Sequence, residues 1–128
     1  MKIKDLYCIL VNGGGFSLNP STLAPYEYGG YAVGGGDYKS NHEQHIGDIT
    51  LNEFKSVIER IIHECEDAGK DVVVGGWVSA NGNCFLEISD VYLSRAQAID
   101  VGMMRDEISI WDFNEQKEIK LKNESKDI

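Results

Sequence analysis

Few side chains in this sequence are of the types that do chemistry, and their spacing narrows what they could do. His42 and His45 stand three apart beside Glu43 and Asp48, a set that could hold a metal ion if it lay on one helix face. The surrounding residues 37–49 are polar and read as a connecting loop, so a solvated loop is expected there and no metal site. His63 falls on the polar side of an amphipathic pattern. Cys8, Cys65 and Cys84 are odd in number, far apart and set in apolar surroundings, which predicts reduced, buried thiols and no disulfide framework. No G-x-S-x-G elbow is present. The glycine runs Gly13–Gly15 and Gly34–Gly36 lack the Gly-Lys-Ser/Thr ending of a phosphate-binding loop. They suit turns, or a close approach of backbone to a ligand. A converging pair of carboxylates stays open as an enzymatic alternative. The expectation is a non-catalytic protein without a cofactor.

Arginine is more informative, because its planar fork suits phosphate and only Arg60, Arg95 and Arg105 are present. Arg60 lies opposite an apolar stripe, with Glu64 four residues on as an ordinary surface partner. Arg95 opens a predicted helix, where the helix dipole disfavours a cation; Arg105 closes the same helix, where the dipole favours one. Phe16, Tyr26, Tyr28 and Tyr31 gather around glycines. They could stack on a base, and plain packing of a short sheet explains them as well.

The elements that must position these residues follow from hydrophobic period and turn chemistry. The run Asp5–Val11, ended by Asn12-Gly13-Gly14-Gly15, reads as a first strand. Residues 16–25 read as loop, and residues 26–36 as a second strand framed by glycines. Thr50 and Glu53 form a capping box for a helix over 51–68. Leu51, Phe54, Val57, Ile58, Ile61, Ile62 and Cys65 make its apolar stripe, and Gly69 is placed to end it. Residues 71–79 and 84–93 form a hairpin about Asn81-Gly82, in a type I′ turn or shifted by one residue. In the first register Val73 and Trp77 share a face with Leu86 and Ile88. Val74, Val78, Phe85 and Val91 then fill the other. Both faces are apolar, which hints at a second subunit or a ligand surface. Ser94 and Gln97 cap a second helix to about Met104, with Ala96, Ile99 and Met103 as its stripe. Residues 108–113 and 118–122 make a last hairpin, and 123–128 a frayed tail. The expected fold is α+β, an antiparallel sheet with two helices in the order β-β-α-β-β-α-β-β, within one domain over 1–128.

Charge bounds the partners. Twelve bases against twenty-one acids leave a net charge of −9. Residues 41–71 carry eight of the acids and three of the bases. A basic stripe is missing, so binding to a DNA or RNA duplex is disfavoured. The acidity suits solubility, or mimicry of nucleic acid by an inhibitor that blocks a basic defence nuclease. No run of apolar residues is long enough to span a membrane, and the start lacks a signal-peptide pattern. A cytoplasmic protein is expected.

Three segments together carry a resemblance. Gly29-Gly30-Tyr31-Ala32-Val33-Gly34-Gly35 precedes the capped helix, Gly75-Gly76-Trp77-Val78 lies in the hairpin, and Ile108-Ser109-Ile110-Trp111-Asp112 follows the second helix. Over residues 28–120 the chain resembles the Thoeris anti-defence proteins of phages and prophages, the sponges for cyclic ADP-ribose signals. The resemblance implies a homo-oligomer in the cytoplasm of an infected or lysogenic bacterium. Such a protein sequesters the signal of a TIR-domain defence protein without altering it. It further implies Arg105 or Arg95 as phosphate contacts and Phe16 and Tyr31 as stacking rings. Asp106 would accept from a ribose hydroxyl. The family pattern leads one to expect amides after the arginine, and Asp106 and Glu107 stand there instead. A carboxylate cannot donate to phosphate, so the nucleotide isomer stays open.

Overall fold

The computed structural model describes residues 2–68 and 71–122. Among these residues are three α-helices, α1 (Ile3–Val11), α2 (Leu51–Ala68) and α3 (Arg95–Met104). The strands are β1 (Phe16–Leu18), β2 (Tyr31–Val33), β3 (His42–His45), β4 (Val72–Val78), β5 (Asn83–Tyr92), β6 (Ser109–Asp112) and β7 (Lys117–Lys120), with a short 3₁₀ turn over Ile46–Asp48. The mixed α+β class and the antiparallel pairing agree with the sequence reading, and the element order does not. The described residues fall into two compact units, those within 1–26 and 38–88, and those within 27–37 and 89–122. Strand β5 supplies residues to both.

The first unit begins with a correction. The segment read as a first strand is helix α1. Ile3, Leu6, Tyr7 and Leu10 recur at spacings of three and four, and all four enter the core around α2. A short apolar run fits a strand or a helix equally well, and here helical spacing wins. The turn signal after it was real but ends a helix: the Gly14 amide donates to the Ile9 carbonyl at 2.8 Å and the Gly13 amide to Leu10 at 3.0 Å. With Gly13 at φ +82°, this is a Schellman stop. The Tyr7 hydroxyl donates to the Ile49 carbonyl at 2.7 Å and ties α1 to the approach of α2.

Helix α2 forms as its sequence dictates. The Thr50 amide donates to Glu53 at 3.1 Å and the Glu53 amide to the Thr50 hydroxyl at 3.2 Å, the reciprocal pair of a capping box. Phe54, Val57, Ile58, Ile61 and Cys65 are buried along one stripe. Its expected terminator, Gly69, lies outside the described residues, as does the 123–128 tail. Against α2 lie β1, β4 and β5, with Phe16, Ser17 and Leu18 opposite Gly76, Gly75 and Val74. β1 arises in the stretch read as loop. β3 arises in another, pairing His42 with Leu86 and His45 with Asn83.

The β4–β5 hairpin closes one residue away from the favoured register. Ser79 and Asn83 face each other through an amide-to-carbonyl bond of 2.9 Å. Gly82 alone takes a left-handed φ of +87° within the turn. A three-residue loop with a glycine bulge replaces the type I′ turn. The shift re-sorts the faces: Val72, Val74, Leu86 and Ile88 join the α2 core, while Trp77 meets Phe85 on the opposite face.

In the second unit β2 is central, paired on one side with β5 (Tyr31 opposite Tyr92) and on the other with β6 (Tyr31 opposite Asp112). β6 continues to β7, as the last predicted hairpin required. Only Tyr31–Val33 of the expected 26–36 strand is regular. Helix α3 covers one face, centred on Val33, Ala98 and Ile110. Its predicted stripe is displaced: Ala96 and Met103 are exposed, and Ala98 and Gly102 are buried. The helix approaches through its smallest residues. A Cβ on Gly102 would stand 2.6 Å from Leu121 and 2.9 Å from Ile110.

Candidate functional site

The residues singled out from sequence divide between the units. Phe16 belongs to the first. Its ring lies directly over the Cα of Gly76, where any added Cβ would collide with it. The ring is half-buried and packs on the α2 core. Tyr31, Arg95, Arg105 and Asp106 belong to the second unit. Tyr31 is half-buried against the Val33–Ala98–Ile110 cluster. Arg95 is exposed at the first turn of α3. Ten residues of helix, about 15 Å at 1.5 Å per residue, separate it from Arg105.

Arg105 is the most constrained of these side chains. One guanidinium nitrogen donates to the carbonyls of Val33 at 3.4 Å and Gly34 at 3.2 Å; the other meets Asp90 Oδ2 at 2.7 Å. The Arg105 side chain is 21% exposed and that of Asp90 3%. The pair therefore stitches the end of α3 to β5 and to the glycine run after β2. Charge-assisted geometry of this kind fixes the guanidinium in place. The helix dipole, offered from sequence as the reason for an arginine here, is at most a supplement to this pairing.

Asp106 follows in a left-handed conformation, φ +61°. Its exposed carboxylate pairs with Lys122 Nζ at 2.5 Å. Glu107 turns toward the glycine run, where its carboxyl would touch a Cβ on Gly35 at 3.0 Å. Gly35 sits at φ +73°, so glycine is required there twice over. Burial pushes the Glu107 carboxyl up from 4.5, against the opposing pull of Arg105 and Lys122. Arg105, Asp90, Glu107 and residues 33–35 thus form one polar cluster beside Tyr31's strand. It can present the remaining N–H donors of a fixed guanidinium to an anion, or Glu107 to a hydroxyl.

Asp90 escaped the sequence reading, although it had a usable signal: Cys84, Leu86 and Ile88 alternate inward, and Asp90 continues that parity. A carboxylate on a core-facing position announces a buried partner. Glu107 stood out from sequence only as a carboxylate where an amide is expected; its placement against the glycine run depends on the left-handed turn at Asp106.

Other chemistry-bearing residues have structural partners. Glu64 does not serve as the surface partner of Arg60. It accepts the amides of Lys39 at 3.0 Å and Ser40 at 2.8 Å, together with the Ser40 hydroxyl. Those bonds hold its carboxyl below the usual range. His42 and His45 lie on opposite faces of β3, with the His42 ring on Gln44 and His45 Nδ1 accepting the Gly47 amide. Among the described residues no cluster of three metal-ligating side chains forms, and no helix is long and apolar enough to cross a membrane. Cys65 and Cys84 are buried free thiols, and burial pushes Cys65 up to about 11. Cys8 departs from expectation: it is exposed on the outer side of α1.

No family model, no curated protein and no solved structure matches this chain.

Proposed function

We propose that the protein acts by binding, as a sequestering agent for a signalling nucleotide of the cyclic ADP-ribose class. In that role it blocks a TIR-dependent anti-phage defence in the cytoplasm of the infected or lysogenic host. The observation that carries the reading is the junction of Arg105 with the glycine run of β2. The same Gly29–Gly35 segment that bears the family resemblance ends at a guanidinium held rigid by Asp90. A phosphate approaching there meets a preorganised donor, which lowers the ordering cost of binding. Arg95, about 15 Å away at the other end of α3, is exposed and stands outside that junction. Asp106 and Glu107 supply acceptors for ribose hydroxyls, and Tyr31 remains the stacking ring nearest in sequence to the cluster.

Self-association belongs to the same proposal. Leu93, Met103, Met104, Ile108 and Trp111 are exposed large apolar residues of the second unit. Exposed large apolar side chains of this kind mark contact sites, and a second copy of the chain is the proposed occupant.

The test uses Arg105→Lys, which keeps a cation for Asp90 while removing the planar fork. Calorimetry with cyclic ADP-ribose isomers should show at least tenfold weaker binding than wild type, with the fold retained. Unchanged affinity in Arg105→Lys would remove Arg105 from the site.

A further inference from the structure

Strand β7 stands at one end of the strand order, and among the described residues no strand pairs with its outer edge. The bonds of its neighbours fix which backbone groups face that edge. The Phe113 amide donates to the Gly30 carbonyl at 2.9 Å, so the odd-numbered residues of β6 exchange bonds with β2. The even-numbered ones then turn to β7, as the 2.7 Å bond from the Leu121 amide to the Ile108 carbonyl also requires. Ile119 is thus bonded inward, opposite Ile110, while Glu118 and Lys120 direct their amides and carbonyls outward. Ile119 packs against the Val33–Ala98–Ile110 cluster, which puts the Glu118 and Lys120 side chains together on the other face of the strand.

Lysines on an edge strand commonly block pairing. Here the charges alternate in sign along one face, and that arrangement favours one register. When two identical strands pair antiparallel about a two-fold axis, one residue lies opposite its own copy. Centring the axis on Glu118 sets two carboxylates against each other, and centring it on Lys117 or Lys120 sets two ammonium groups; like charges directly opposite oppose pairing. Centring it on Ile119 sets Glu118 opposite Lys120 of the second copy, and Lys120 opposite Glu118. The same register brings the outward amides and carbonyls of these residues face to face. Glu118 Oε2 already accepts the Ser109 hydroxyl at 2.9 Å, and Lys120 Nζ lies 3.9 Å from Glu118 Oε1. Neither contact has to break. Side chains directly opposite stand about 4.5–5.5 Å apart at Cβ, so pairing joins the two Glu118–Lys120 pairs into one ring of alternating charge. Their exposures, 50% and 62%, leave both free to move into it.

We propose that β7 is a self-complementary edge, to which a second copy of this chain adds its own β7, antiparallel, with Ile119 opposite Ile119. The β2–β6–β7 sheet then runs on from one copy into the other. Backbone bonds hold the strands together and charge selects the register, since an exposed ion pair contributes little by itself. This interface rests neither on the nucleotide reading nor on the exposed apolar residues of the second unit, and each can fail separately.

The test exchanges the charges in the full chain and follows dimers by light scattering and native mass spectrometry at fixed ionic strength. Wild type should dimerise. Glu118→Lys and Lys120→Glu should each dimerise at least about tenfold more weakly, because each places like charges opposite one another twice. Glu118→Lys moves the chain's charge of −9 toward neutrality, so repulsion between whole molecules would instead strengthen its self-association. Mixing the two variants, one of them isotope-labelled, should restore dimers of mixed composition, since one copy then brings two ammonium groups and the other two carboxylates. That restoration also shows that both variants are folded. A monomeric wild type would overturn the proposal. So would single variants that dimerise like wild type, or a mixture that forms no mixed dimer.

Discussion

Asp90 sets the energetics at the scale of single residues. Its carboxylate is almost fully buried and balanced by Arg105, so removing the arginine leaves a buried charge uncompensated. Arg105→Ala should destabilise the protein by about 3–5 kcal/mol, a loss that denaturant unfolding will register directly. Asp90→Asn combined with Arg105→Ala should recover part of that loss; a double variant no more stable than Arg105→Ala would mean the charge is not the cause. Glu107 gives a pH signature of its own. Its folded pKa lies above the unfolded 4.5 because burial disfavours the charged form. The folded state therefore holds more protons than the unfolded one, and this residue's contribution to stability falls as pH rises from about 4.5 through the raised value. Glu107→Gln should raise the melting temperature at pH 7 and flatten its pH dependence just above 4.5. A variant less stable than wild type at pH 7 would contradict the assignment. Arginines could be singled out from sequence as rare forks, but their partners could not: the Arg105–Asp90 pair spans fifteen residues, and only the fold brings it together.

The elements show why part of the fold was legible and part was not. Helix α2 could be read from its cap and its stripe because each is a local signal, while its expected stop at Gly69 lies outside the described residues. α1 was misread because seven apolar and polar residues in a row satisfy two periods at once, and the glycines after it end a helix as readily as a strand. The hairpin register slipped because Asn81-Gly82 supports more than one loop length. β3 could not be foreseen: His42-Glu43-Gln44-His45 has no strand propensity to speak of, and its pairing with β5 is a tertiary fact. The α3 stripe was displaced because close packing favoured Ala98 and Gly102 over Ala96 and Met103, while Ile99 still packs against the core. That packing is testable. Alanine is a better helix former than glycine by about 1 kcal/mol, yet Gly102→Ala should lower stability, since its Cβ would press on Leu121 and Ile110 at an overpacking cost of about 1–3 kcal/mol. A melting temperature above wild type would show that α3 has room to spare.

At the scale of the whole chain, the net charge of −9 and the exposed apolar residues pull in different directions. The charge keeps copies apart at low salt, and the apolar surface of the second unit favours their association once charge is screened. Light scattering should accordingly give a larger particle at high ionic strength than at low. The thiols report on the native state independently of any ligand. Cys8 is exposed, while Cys65 and Cys84 are buried with pKa values raised, so a thiol reagent at pH 8 should modify one cysteine rapidly and two only on unfolding. The central claim is sequestration without chemistry, and it has a direct measurement. The protein is mixed with cyclic ADP-ribose isomers, the free nucleotide is followed by mass spectrometry, and the protein is then denatured by heat. Depletion of one isomer, followed by its recovery at unchanged mass, is the predicted result. Recovery of linear ADP-ribose or another product would make the protein an enzyme, and failure to deplete any isomer would contradict the sequestration account.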